Sequence, residues 1–205
     1  MPTAVIESID ADTIYDVPLL MREEKLDVEV LEKTNTPVPE KIELHSWEEF
    51  VQKVKHPEKE VSIGLIGKYV ELKDAYKSIN ESFIHGGSAN NCRVNIIDIH
   101  SESVTKANTS ELLGQLDGIL VAPGFGGRGI AGKIDAIQFA RENKIPFLGI
   151  CLGMQCAAIE FTRNVLGMKD AHTTEINADT PFPVIDIMEE QKKIKNLGGT
   201  MRLGA

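Results

Sequence analysis

Cys151 stands between two glycines in Gly149-Ile150-Cys151-Leu152-Gly153. The apolar run Pro146 to Ile150 leads straight into it, and Leu152 to Phe161 then reads as a helix, with Met154, Ala158, Phe161 and Val165 on one face. A nucleophile flanked by glycines where a strand turns into a helix is the pattern of a nucleophile elbow. Glycine on each side permits a sharp turn, exposes the side chain and leaves room beneath it. The positive end of the helix dipole also favours the thiolate, the reactive form of a cysteine. These residues point to covalent catalysis by a thiol.

A second chemical element precedes it. Ala122-Pro123-Gly124-Phe125-Gly126-Gly127-Arg128-Gly129 packs four glycines into eight residues, so backbone N–H groups can reach a ligand unobstructed. The phosphate-loop and dinucleotide patterns are both absent. Beside an elbow, such a loop reads better as half of an oxyanion hole, with Gly124 supplying one N–H and Leu152, the residue after the nucleophile, the other. Cys156, within the helix, and Cys92, before a strand, read as packing or surface thiols.

These groups need elements to hold them. Val61–Ile66, Val94–Ile99, Gly118–Ala122 and Pro146–Ile150 read as strands rich in β-branched residues, alternating with helices near Asp74–His85, Ser110–Gln115 and Gly132–Asn143. The alternation predicts βαβ units and hence an α/β three-layer sandwich with a mostly parallel sheet. Sites in such sheets gather beyond the carboxyl ends of the strands. The first sixty residues differ, being rich in charge and carrying Pro18, Pro37, Pro39 and Pro57; they read as a tail and linker with one helix, Ser46 to Lys55, capped by Ser46 with Glu49 three residues on.

Composition narrows the function. The 205 residues are 42% hydrophobic, and 22 basic against 31 acidic side chains give a net charge of −9. That balance argues against electrostatic binding of nucleic acid or an anionic membrane. Three unevenly spaced cysteines without a Cys-x-x-Cys pair suggest neither a disulfide framework nor a zinc site. No run is long enough to span a membrane and no signal peptide is evident, so a reducing cytoplasm is expected.

Gly149-Ile150-Cys151-Leu152-Gly153-Met154-Gln155, Pro123-Gly124-Phe125-Gly126, Gly64 to Leu72 with Asp74 to Ser78, and Gly198 to Gly204 together resemble the CTP synthase family, whose glutamine-hydrolysing part is a class I glutamine amidotransferase. The resemblance implies a flavodoxin-like amidotransferase fold, here C-terminally incomplete. It divides the chain into residues 1–58, the end of a synthetase domain and its linker, and 59–205, the amidotransferase part. It assigns Cys151 as nucleophile, Gly124 and Leu152 as oxyanion donors, and Gly124, Gln155, Glu175 and Arg202 as the binding residues for L-glutamine. An acidic Glu175 suits the α-ammonium of glutamine and the Arg202 guanidinium its α-carboxylate. No metal site is implied in this chain. ATP and magnesium belong to the synthetase domain, which is the implied partner in a homotetramer; GTP is the implied activator.

Two departures qualify this. The family's His-x-Glu pair, base and orienting carboxylate, does not follow Cys151. His56-Pro57-Glu58 has that spacing, but it lies in the charged linker and reads as coincidence. His172 is the one histidine after Cys151 and reads as solvated in a polar loop. The family's Arg-Gly-x-Glu-Gly is here Arg128-Gly129-Ile130-Ala131-Gly132, which puts a GTP response in doubt. The expectation for these residues alone is weak glutamine binding and very slow hydrolysis. The competing readings are another elbow-cysteine hydrolase or chaperone, and a non-catalytic interaction module.

Overall fold

The computed structural model describes residues 5–72 and 74–188. The chain divides into two compact units, Met1–Glu60 with Phe83–Arg93, and Val61–Ser82 with Val94–Ala205.

In the first unit a short 3-10 turn, Ile14–Asp16, precedes α1 (Val17–Glu23), α2 (Leu26–Lys33) and α3 (His45–Lys55). This corrects the expectation of one helix in the first sixty residues. Pro18 in the first turn of α1 is a helix-start signal that could have revealed it. Both extra helices are short, and neither buries a residue, so their apolar periodicity was faint. The cap on α3 is also corrected: Leu44 holds the N-cap position without a side-chain bond, and Ser46 lies inside the helix. Tyr15 organises this unit. Its hydroxyl is 2.9 Å from His85 Nε2, its carbonyl accepts from the Trp47 indole at 2.9 Å, and its ring meets Phe50 edge-on at 5.0 Å. An aromatic group of this kind adds specific geometry to its apolar burial.

The second unit holds the sheet. The strands β1 (Lys59–Gly67), β2 (Cys92–His100), β3 (Gly118–Val121) and β4 (Phe147–Gly149) lie in the order β2-β1-β3-β4, and both the β1/β3 and β3/β4 pairs are parallel. The expected α/β class with a parallel sheet is therefore present. All four residues of β3 are buried, as an interior parallel strand requires. The intervening helices are α4 (Lys77–Ala89), α5 (Thr109–Leu113) and α6 (Ile130–Asn143); α7 (Leu152–Asn164) follows β4, and a two-stranded parallel sheet, β5 (His172–Thr173) with β6 (Pro183–Ile185), comes last.

Register places the chemistry. Ile66 pairs with Val121, and Val121 with Gly149. The carboxyl ends of β1, β3 and β4 are therefore level, and Lys68, the glycine loop and Cys151 emerge together.

One ion pair ties α6 to α7. Arg141 reaches both oxygens of Glu160 through Nε at 3.1 Å and Oε1 through Nη2 at 2.8 Å; Glu160 is 1% exposed. Arg141→Ala would leave that buried carboxylate with one remaining donor, Asn164 at 3.0 Å. The expected loss is about 2–3 kcal/mol at neutral pH, measured by urea unfolding. A change within error would show that the pair is energetically idle.

Candidate active site

Strand β4 delivers Ile150 to the Val121 carbonyl, where its N–H donates at 3.1 Å, and the chain then reverses at Cys151. Cys151 caps α7 with φ 53° and ψ −110°, a region that side-chain-bearing residues enter only when their surroundings force them. Its side chain is exposed. The turn is held by close backbone approach on each side. A Cβ on Gly149 would lie 2.6 Å from the Gly153 carbonyl carbon, and one on Gly153 would lie 2.1 Å from the Val121 oxygen. The helix thus rests on β3 with no room for a methyl group at either glycine.

This contact also decides which face of α7 is buried. Leu152, Gly153, Cys156 and Ile159 face inward, whereas Met154, Phe161 and Val165 from the apolar stripe read in the sequence are exposed. Burial raises the Cys156 thiol to about 11, so it stays a protonated packing group. Cys92 is buried too.

The glycine loop follows β3. The Ala122 N–H donates to the Ile66 carbonyl at 2.9 Å and Pro123 has no N–H, which makes Gly124 the first unpaired donor of the loop. A Cβ on Gly124 would sit 3.7 Å from Leu152 Cδ2, so the two residues named from sequence as donors are neighbours in space. Among the described residues neither the Gly124 nor the Leu152 N–H has an acceptor; an orphan donor of this kind is normal in the first turn of a helix.

Beneath the loop lie two lysines that the sequence reading passed over. Lys68 is 2% exposed, and its Nζ donates to the carbonyls of Phe125 and Gly126, the latter at 3.0 Å. Planar trans peptides then turn the N–H groups of Gly126 and Gly127 away from Lys68. Lys133, on α6, is fully buried and donates to the Ala122 carbonyl at 2.6 Å. Its pKa falls to about 8, chiefly through burial, with the Lys68 charge adding to the fall and the two cysteines opposing it. A signal was present: Lys133 shares a helical face with Ile130, Ile134 and Ile137, all buried.

Glu175 is exposed in the turn after β5, its N–H donating to Thr173 Oγ1 at 3.3 Å. The same turn carries Ile176, whose Cγ2 would lie 3.4 Å from a Cβ on Gly127, so Ile176 borders the glycine loop. Gln155 is half-buried in the first turn of α7, with its N–H on the Cys151 carbonyl at 3.1 Å. Arg202 and the Gly198–Gly204 motif lie outside the described residues. His172 corrects its reading as a solvated loop residue: it is half-buried in β5, its Nδ1 accepts the Thr173 N–H at 2.8 Å, and burial lowers its pKa. His56 and Glu58 belong to the first unit, where Glu58 N–H donates to Asn91 O at 3.0 Å. Among the described residues no side chain hydrogen-bonds to the Cys151 thiol, and no group of three or more His, Cys, Asp or Glu side chains could hold a metal. No described helix is long and apolar enough to cross a membrane.

An exposed cysteine sulfur, with unpaired N–H groups on Leu152 and Gly124, has the parts to add to a carbonyl carbon and hold the resulting oxyanion. Known proteins with similar sequences are named CTP synthases. The chain is 62% identical over 202 residues to the CTP synthase of Cytophaga hutchinsonii and 55% identical over 208 residues to that of Methanocaldococcus jannaschii, each match covering 98% of this chain. It spans only 38% of the length of either relative. Among solved structures it resembles a Trypanosoma brucei CTPS glutaminase domain with bound acivicin, with 41% identity and a TM-score of 0.59 over 63% of this chain and 50% of that one. The glutamine amidotransferase class-I model matches residues 71–205, well over half of the sequence and including the elbow and the glycine loop, and the chain belongs to that family.

Proposed function

We propose that this chain is the glutamine-hydrolysing part of a CTP synthase. The observation that carries the reading is the forced φ of Cys151 beside the unpaired Gly124 and Leu152 N–H groups. Cys151 Sγ bonds to the side-chain amide carbon of L-glutamine while the carbonyl π pair moves to oxygen, between those two donors. Collapse restores the carbonyl and expels the nitrogen, which takes a proton and leaves as ammonia. Water then cleaves the glutamyl thioester, giving glutamate and the free thiol. Glu175 would pair with the substrate α-ammonium, Gln155 would line its side, and Arg202 would take its α-carboxylate.

The general base comes from outside these 205 residues, because His172 commits Nδ1 to the backbone and no other histidine follows Cys151. The ammonia goes to a synthetase domain of the same longer, cytoplasmic and tetrameric protein, where ATP and magnesium drive amination of UTP. GTP control would be weakened by Ala131, which stands exposed in the first turn of α6.

Two measurements test the reading. Incubation with 6-diazo-5-oxo-norleucine should place any label on Cys151 alone, protected by L-glutamine; labelling elsewhere overturns the assignment. Glutamine hydrolysis by the 205 residues should run about 10²–10⁴-fold below that of the same residues joined to the base, so equal rates would refute the external base.

A further inference from the structure

Lys133 carries a charge without a counter-charge. It is fully buried, and of its three ammonium donors one is used, on the Ala122 carbonyl at 2.6 Å. Among the described residues no carboxylate pairs with it. The groups that feel its charge are Lys68, Cys156 and Cys151. An isolated buried cation is costly, and Lys68 nearby makes it costlier. Its position is specific: Nζ lies 3.9 Å from where a Cβ on Gly124 would be, and Leu152 Cδ2 lies 3.7 Å from the same point. The unpaired charge therefore sits beside Gly124, where the Leu152 side chain also packs.

We propose that Lys133 is a positioning residue of the Cys151 site, whose buried ammonium fixes the start of the glycine loop and supplies positive potential to the anion formed at Cys151 and at the oxyanion. Lys133 does not touch substrate. It acts through the Ala122 carbonyl and through space, in a region where burial keeps solvent from screening it. Its pKa of about 8 leaves it protonated at neutral pH, so the potential is present when the thiol reacts. The missing counter-charge is then made by the reaction itself: the anion that forms as sulfur bonds to the amide carbon is the partner Lys133 lacks at rest. This rests on Cys151 being the nucleophile.

The test needs no glutamine site, so its outcome is separate from that of the glutamine-analogue labelling. Anionic iodoacetate and neutral iodoacetamide are reacted with the 205-residue chain in 0.15 M salt, and carboxymethylation and carbamidomethylation of Cys151 are followed by peptide mass spectrometry. The iodoacetate-to-iodoacetamide rate ratio at Cys151 is expected to exceed that of a short cysteine peptide by about threefold, as a nearby positive charge attracts the anionic reagent. Lys133→Gln keeps a donor for the Ala122 carbonyl but no charge, and Lys133→Met keeps neither; both should bring the ratio down to the peptide value. Circular dichroism checks that each variant is folded. A folded Lys133→Gln variant with the unchanged ratio would assign Lys133 to loop anchoring only and overturn the electrostatic role. If neither variant folds, the wild-type ratio decides, and a value at or below that of the peptide overturns the proposal.

Discussion

Cys151→Gly should make the protein more stable while abolishing its chemistry. The φ of 53° and ψ of −110° at Cys151 are imposed by the strand entering from Val121 and the helix leaving over it, and holding a Cβ there costs about 1–3 kcal/mol. Glycine removes that strain and gives back about 0.5–1 kcal/mol in unfolded-state entropy, for a net gain of about 1 kcal/mol. Cys151→Ala keeps the Cβ and the strain, so it should remain near wild-type stability. Ammonia release by either variant, in a longer protein that supplies the base, should fall to background. Urea unfolding of the three forms decides the matter: Cys151→Gly no more stable than Cys151→Ala would mean that the elbow stores no strain.

Gly153→Ala should do the reverse, removing stability and activity together. Its Cβ would lie 2.1 Å from the Val121 oxygen and 2.9 Å from the Val121 carbonyl carbon. Both atoms are backbone at the carboxyl end of a buried strand, so no side chain can swing aside. Helix α7 would have to lift from β3, at a cost of about 3–5 kcal/mol, and the Leu152 N–H would move with it. The comparison is Gly86→Ala in α4, where a Cβ meets nothing within 4 Å; there the change should stabilise by about 0.5–1 kcal/mol. A Gly153→Ala variant within 1 kcal/mol of wild type, by urea unfolding, would show that the elbow has slack.

The elbow and the sheet were legible because their signals are local. Strands β1 to β4 were each found to within two residues at either end from runs of β-branched residues, and the cysteine turn from glycines at fixed offsets. Gly149 and Gly153 could be read as necessary before the atoms they touch were known. What was missed depends on neighbours distant in sequence. Lys68 and Lys133 carry no local signal of a role, which comes from the carbonyls of the glycine loop and of Ala122 that they bind. His172 reads as solvated because the residues around it are polar, whereas pairing with Pro183 half-buries it. Helices α1 and α2 bury no residue and so leave little periodicity to read. Ser46 matched the spacing of a capping box, yet the chain begins α3 one residue earlier, with Leu44 in the cap position.

The cysteine that caps α7 and the one within it also set how the protein meets oxidants. Cys151 is exposed and Cys156 fully buried, and five positions along a helix rise about 7.5 Å, beyond the roughly 7 Å that a disulfide can bridge. A sulfenic acid formed on Cys151 by peroxide would therefore have no resolving thiol on its own helix. Without an external thiol such as glutathione to reduce it, further peroxide carries the sulfur on to sulfinic and sulfonic acids. The geometry that frees this sulfur to attack a carbonyl carbon also leaves it open to irreversible oxidative loss.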